Sequence, residues 1–239
     1  MNVQLFIPCF VDQIYPDTAF NMVKVLEKAG CTVDYNPNQT CCGQPAFNAG
    51  YWDEAKAVGQ KFLKDFHTYD YIVAPSASCT GFVRNYYGKL FDNSALHNDM
   101  KLVQKNLFEF TEFLVKVLHV DDVGATLNGV ATYHDSCAGL REIRIKSEPR
   151  QLLQHVKGLK LREMEYTDTC CGFGGTFAVK YEPISTGMAD QKINNAVNTE
   201  ADYLISTDLS CLMHLDGYIQ KRGLKIKPMH IADVLASGW

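Results

Sequence analysis

The chain has 239 residues, 46% hydrophobic and 21% charged, with a net charge of -4. This is an ordinary globular composition, which excludes collagen, coiled coil and disorder. The mild negative charge argues against a nucleic-acid binder, whose domains carry a basic patch. At ~100–200 residues per domain the length fits one large domain or two small ones.

In chain order, VQLFI (3–7) reads as a buried strand, and a helical stretch runs from Asp17, a plausible N-cap, to Ala29, with Gly30 as its stop. CTVDY (31–35) is the next strand, and NPNQTCCGQP is turn-rich, broken by Pro37, Gly43 and Pro45. The spacing predicts a helix over 51–66, a strand at YIVAP (71–75) and a helix opening near Cys79. LFEFTEFLVKVLHV (107–120) reads as an amphipathic helix because Glu109, Glu112 and Lys116 interrupt its apolar run. The order then recurs: a strand at VATYH (130–134), a helix around 148–156, a strand at 159–164 and the loop TDTCCGFGG. A helix over 183–199 and a strand at YLIST (203–207) follow, with a tail of LKIKPM (224–229) and a last helix in IADVLAS. Strands alternating with helices predict an α/β fold of βαβ units with parallel sheets.

The first lysine is Lys24, and the N-terminal apolar run is broken by Gln4, Pro8 and Asp12. Neither a signal peptide nor an integral membrane segment is expected, so the chain is read as cytoplasmic. The nine cysteines fall below the ~8–10% of a disulfide scaffold. In a reducing compartment such clusters point to metal binding or catalysis.

Eight of those cysteines form a repeat. Cys9, Cys41, Cys42 and Cys79 match Cys137, Cys170, Cys171 and Cys211 at offsets of 128, 129, 129 and 132 residues. Each adjacent pair is followed by glycine, Gly43 or Gly172, and the flanking strands align as well. The chain therefore divides into duplicated units, 1–124 and 125–239, related by internal pseudo-symmetry and packed closely for want of a low-complexity linker. Cys31 has no counterpart and is read as core packing.

In each unit the outer cysteines follow strands directly and the pair lies in the loop after the second strand. The carboxyl ends of parallel strands are where open α/β sheets hold ligands, so four thiols per unit can meet there. Four convergent thiolates suit an iron–sulfur cluster or zinc. Adjacent cysteines fit a many-atom cluster better than one small ion, and the following glycine can bring an N–H to sulfur. A thiol–disulfide enzyme using the vicinal pairs ranks below both.

These residues resemble the cysteine-rich, or CCG, domain family. Its full motif is a lone cysteine, then Cys-Cys-Gly after thirty-odd residues, then Cys-x-x-Cys after about as many again. CCGQPAFNAGY (41–51), PSASC (75–79), CCGFGGTF (170–177), CLMH (211–214) and MHIADVL (229–235) are most similar to members that serve lactate oxidation. The resemblance implies an electron-transfer, iron–sulfur subunit of a complex converting L-lactate to pyruvate, and so a part of an oxidoreductase. Its implied partners are a ferredoxin-type iron–sulfur protein and a third subunit. Its implied cofactor is a [4Fe–4S]-type cluster, one per half at most, held by the eight paired cysteines. In the heterodisulfide reductase relative each full motif carries a noncubane cluster on five cysteines. Here Ser76 and Asp208 stand where the fifth would be. Four thiols per half leave zinc open in one or both halves, with a zinc-stabilised, non-redox scaffold subunit as the alternative function. Asp208 and Ser76 either donate oxygen to a metal or cap a loop.

His134, three residues before Cys137, is a candidate ligand, proton carrier or hydrogen-bond donor to sulfur. His230 reads as an N-cap neighbour, and His214 is a weaker candidate. Phe173-Gly174-Gly175 reads as a tight loop over the second site. Arg141, Arg144 and Lys146 form a basic face able to attract a carboxylate or an acidic partner. No catalytic residue is assigned.

Overall fold

A computed structural model describes residues 1–239. Two four-stranded parallel sheets organise the chain. The first contains β1 (Asn2–Leu5), β2 (Thr32–Tyr35), β3 (Ile72–Ala74) and β4 (Leu107–Glu109) in the order β2-β1-β3-β4. The second contains β5 (Thr126–Tyr133), β6 (Lys157–Leu161), β7 (Tyr203–Ser206) and β8 (Lys227–His230) in the order β6-β5-β7-β8. The orders are the same when the second unit's strands are counted from its own start. The registers agree too: Leu5 pairs with Val73, and Tyr133 with Ile205.

Both faces of these sheets are covered, as parallel sheets require. Side-chain alternation sorts the first sheet. Val3, Leu5 and Val73 face a core shared with the second unit. Phe6, Ile72 and Ala74 face the other way, into an aromatic core with Phe62, Phe66 and Tyr87. The shared core continues through Ala131, Leu204 and Ile231.

Helix 16–28 shows how local sequence sets an element. Pro16 occupies the first turn, where its missing N–H costs nothing, and Met22, Val25 and Leu26 form the buried stripe. Gly30, at φ 87°, closes the end: its N–H donates to Glu27 O and the Cys31 N–H to Leu26 O. That pair of bonds is the Schellman arrangement, which favours glycine at this position.

Stretch 107–120 departs from the expected single helix. Leu107, Phe108 and Glu109 pair with Ile72, Val73 and Ala74 as β4. The helical part covers only 110–117, ending in a π-helical turn over Phe113–Val117. Glu109 makes the switch, its Oε2 accepting from the N–H groups of Thr111 and Glu112. Short helices at 9–14, 44–48 and 97–106 had no strong periodic signal. No helix is long and apolar enough to cross a membrane.

Candidate metal centre

The thiols sit where strands give way to helices. Cys9 opens helix 9–14 just past β1, and Cys79 lies in the first turn of helix 77–91 just past β3. Cys137 precedes the π-helical turn 138–142, and Cys211 lies in the first turn of helix 209–222. The adjacent pairs lie in the loops after β2 and β6. Gln39 ties the first loop to the end of β1, its Oε1 accepting from Ile7 N–H at 2.7 Å and its Nε2 donating to Leu5 O.

Glycine after each pair is required on two counts. Gly43 and Gly172 have φ of 91° and 95°. A Cβ on Gly43 would lie 3.0 Å from Ala55 O, and one on Gly172 only 2.6 Å from Ser185 O. Each glycine also donates its N–H to sulfur, Gly43 to Cys41 Sγ at 3.3 Å and Gly172 to Cys170 Sγ at 3.4 Å.

Cys9, Cys41, Cys42, Cys79, Cys137, Cys170, Cys171 and Cys211 all line one cavity of about 560 Å³. The sequence leads to a site in each half, and in the structure the two thiol sets face one shared space. Phe10 and Phe173, one from each half, meet edge to face at 5.7 Å beside it. All nine cysteines are free thiols. Cys31 lies outside the cavity, buried in the shared core.

Within each set the first cysteine of the pair is the acidic one. Contacts from the Cys42 and Cys9 thiols hold Cys41 down to about 3. Contacts from Cys137 and Cys171 lower Cys170 in the same way. The same contacts, aided by burial, push Cys9, Cys42, Cys137 and Cys171 up. One sulfur of each set is thus favoured as the anion, within reach of a backbone N–H. Cys9 and Cys41 sulfurs are 4.0 Å apart.

His134 is fully buried, and its ring nitrogen lies within 4.8 Å of the Cys171 and Cys211 sulfurs. Burial, reinforced by the Lys192 charge, holds its imidazolium down to about 3, so the ring is neutral. Neither ring nitrogen meets a hydrogen-bond partner in good geometry. His134 does not line the cavity, but an orphaned buried imidazole within reach of two of the cavity's sulfurs fits a metal group better than a packed core.

The other candidates sort by their contacts. Asp208 is buried; its Oδ1 accepts from Ser210 N–H at 3.2 Å and its Oδ2 from Ser78 N–H at 2.8 Å, so it caps a helix in each half. Ser76 Oγ accepts from Cys79 N–H at 3.4 Å. Both also line the cavity. His230 caps helix 231–235 through Nδ1, which accepts from Ala232 N–H. His214 Nε2 contacts Ser185 Oγ at 3.2 Å. Phe173, Gly174 and Gly175 lie at the cavity as expected, whereas Arg141, Arg144 and Lys146 are exposed and do not line it.

Two groups escaped the sequence reading. Arg150 binds Asp135 through two 2.9 Å contacts and Glu163 at 2.7 and 3.0 Å, fixing the segment that carries Cys137. Lys192 is fully buried, and its ammonium donates to Tyr166 O at 2.6 Å and Thr167 O at 3.1 Å. Lys192 shares the buried face of helix 182–197 with Ser185, Ala189, Ile193 and Ala196, too mixed a face to mark it in the sequence.

Two α/β halves of like topology, presenting matched Cys-Cys-Gly thiol sets to one cavity, define a duplicated cysteine-rich protein. The model of the cysteine-rich (CCG) domain matches residues 3–84 and 131–216. The chain belongs to this family. It is 45% identical over 235 residues to Lactate utilization protein A of Geobacillus kaustophilus, covering 98% of each chain. It is 43% identical over 237 residues to Lactate utilization protein A 1 of Bacillus cereus, covering 99% of each. A hypothetical protein from Helicobacter pylori has a similar fold, with a TM-score of 0.59 at 11% identity, over 100% of this chain and 49% of that one.

Proposed function

We propose that the chain is the iron–sulfur electron-transfer subunit of a complex that oxidises L-lactate to pyruvate. The observation that carries this reading is the convergence of eight thiols, in two matched sets, on one cavity. Near full-length similarity to lactate utilization proteins supports the substrate. Cys9, Cys41, Cys42 and Cys79 would hold a cluster in one half, and Cys137, Cys170, Cys171 and Cys211 in the other. A [4Fe–4S]-type cluster bound there supplies one-electron transfer. The protein contributes anionic sulfur at Cys41 and Cys170, N–H donors from Gly43 and Gly172, and a neutral imidazole at His134. The strand ends and first helical turns keep the sulfurs in place, and Phe10 and Phe173 meet beside the cavity. Partners of this subunit are a ferredoxin-type iron–sulfur protein and a third protein of the complex, in the cytoplasm.

One observation favours a second reading. In the second half the His134 ring nitrogen and the Cys171 and Cys211 sulfurs lie within 4.8 Å of one another, a donor group of the kind that holds zinc. Zinc in that half would make it a structural prop. Anaerobic purification with metal and acid-labile sulfide analysis separates the two. Several irons and sulfides per chain are expected, with Cys42→Ser and Cys171→Ser each losing about half. Zinc without iron overturns the electron-transfer assignment.

A further inference from the structure

Behind the thiols, the two halves correspond residue for residue. Phe6 N–H donates to Val73 O at 3.0 Å, and His134 N–H donates to Ile205 O at 2.8 Å. Each lies three residues before the first cysteine of its set. The helix after each Cys-Cys-Gly buries the same five positions. They are Ala55, Gly59, Phe62, Leu63 and Phe66 in one half, and Ser185, Ala189, Lys192, Ile193 and Ala196 in the other. The glycine contacts confirm the register, since Gly43 abuts Ala55 and Gly172 abuts Ser185. Phe62 therefore corresponds to Lys192, and Phe6 to His134.

The matched positions differ in chemistry. Phe6 and Phe62 meet edge to face at 4.7 Å, an apolar backing for the first thiol set. Their counterparts are a buried imidazole and a buried ammonium. Lys192 forms no ion pair with a carboxylate; its two bonds go to carbonyls on the loop that leads to Cys170. A buried cation without an ion-paired partner is costly, and the nearby Cys171 and Cys137 sulfurs, with Asp168 and Asp135, offer it negative charge.

We propose that Lys192 makes the two metal centres unequal, raising the reduction potential of the second-half centre above that of the first, so that a single electron taken up by the protein resides in the second half. This rests on the iron–sulfur reading of the thiol sets. Reduction adds one negative charge to a centre, and a fixed buried cation close by stabilises that form. The first half has an aromatic ring at the same place. Asp208, Asp168, Asp135 and Arg141 also lie near the second set; Asp168, two residues before Cys170, opposes Lys192 but is exposed and acts through solvent. Asp208 opposes Lys192 at Cys211, but its carboxylate is bonded to N–H groups of Ser78 in the first half and Ser210 in the second. Asp135 is held by Arg150 through both oxygens. Arg141, exposed beside Cys137, acts in the same sense as Lys192 but through solvent.

The test is a dithionite titration of the anaerobic, fully loaded protein followed by electron paramagnetic resonance, each centre taking one electron from dithionite. Two separate waves are expected. Cys41→Ala/Cys42→Ala should retain the higher wave, and Cys170→Ala/Cys171→Ala the lower. Lys192→Met should shift the higher wave down by at least tenfold in electron partition, which is 59 mV for one electron. It should leave the lower wave in place, and Lys192→Arg should restore the wild-type value. Waves that coincide, that occur in the opposite order, or that ignore Lys192→Met overturn the inference while leaving the iron–sulfur reading intact. Protein without iron overturns both. Should Lys192→Met not fold, the order of waves in the wild type and the two cysteine variants decides.

Discussion

Asp208 occupies the place of a cysteine in the full family motif, and its carboxylate is committed to backbone N–H groups in both halves. Ser76, its counterpart, caps one helix only. The departure from the motif was plain in sequence, but not the use of the oxygens, because the bond from Ser78 crosses 130 residues. Asp208→Ala removes two caps at about 1 kcal/mol each. A loss near 2 kcal/mol in urea denaturation is expected, with Asp208→Asn losing less because its amide oxygen can still accept one bond. Lys192 was missed for a different reason: a lysine among helical polar residues reads as solvated, and the mixed face it shares gives no sign of burial.

The segment from Leu107 to Val117 shows where periodicity misleads. Its apolar spacing suits a helix, yet three residues are drawn into β4 by pairing with β3. Tertiary pairing outweighs the local pattern because the sheet edge would otherwise be left with unbonded backbone. Most other elements appear within a few residues of their sequence-based bounds, since buried parallel strands and amphipathic helices alternate without ambiguity. Glu109, which turns strand into helix, is fully buried, and burial pushes its carboxyl from 4.5 up to about 8 despite the bonds from Thr111 and Glu112. Folding therefore favours the protonated form. Below about pH 4.5 the group is protonated in both states and exacts no penalty, and from there to about pH 8 stability falls as pH rises. The slope is at most about 1.4 kcal/mol per pH unit. Glu109→Gln should flatten that fall, and denaturation midpoints compared at pH 5 and pH 8 measure it. An equal pH dependence in mutant and wild type would refute the buried, protonated carboxyl.

The duplication, the parallel sheets and the eight convergent cysteines could all be read in the chain itself, because equal spacing of rare residues survives where most side chains have diverged. That the two thiol sets share a cavity could not, since nothing in one half's sequence encodes how it docks on the other. The contacts that set the docking are spread widely. Asp233 accepts from Thr18 at 3.0 Å and from Asn21 at 2.9 Å, Lys116 pairs with Glu148 at 2.7 Å, and Tyr86 donates to Glu142 at 3.0 Å. The inner face of the first sheet is covered by helix 16–28 of its own unit and continues into a core shared with the second unit. We propose that 1–124 and 125–239 are duplicated units that do not fold apart. Fragment 1–124 alone should show no cooperative thermal transition and should bind a hydrophobic dye. A sharp transition in that fragment would refute the proposal.

Helix 231–235, the last helix of the chain, packs against helix 16–28, among the first. On a ribosome adding ~5–20 residues per second, the first thiol set then waits on the order of ten seconds for Cys211, the last of the cavity's thiols. Metal delivered before then would meet only the first of the two thiol sets complete.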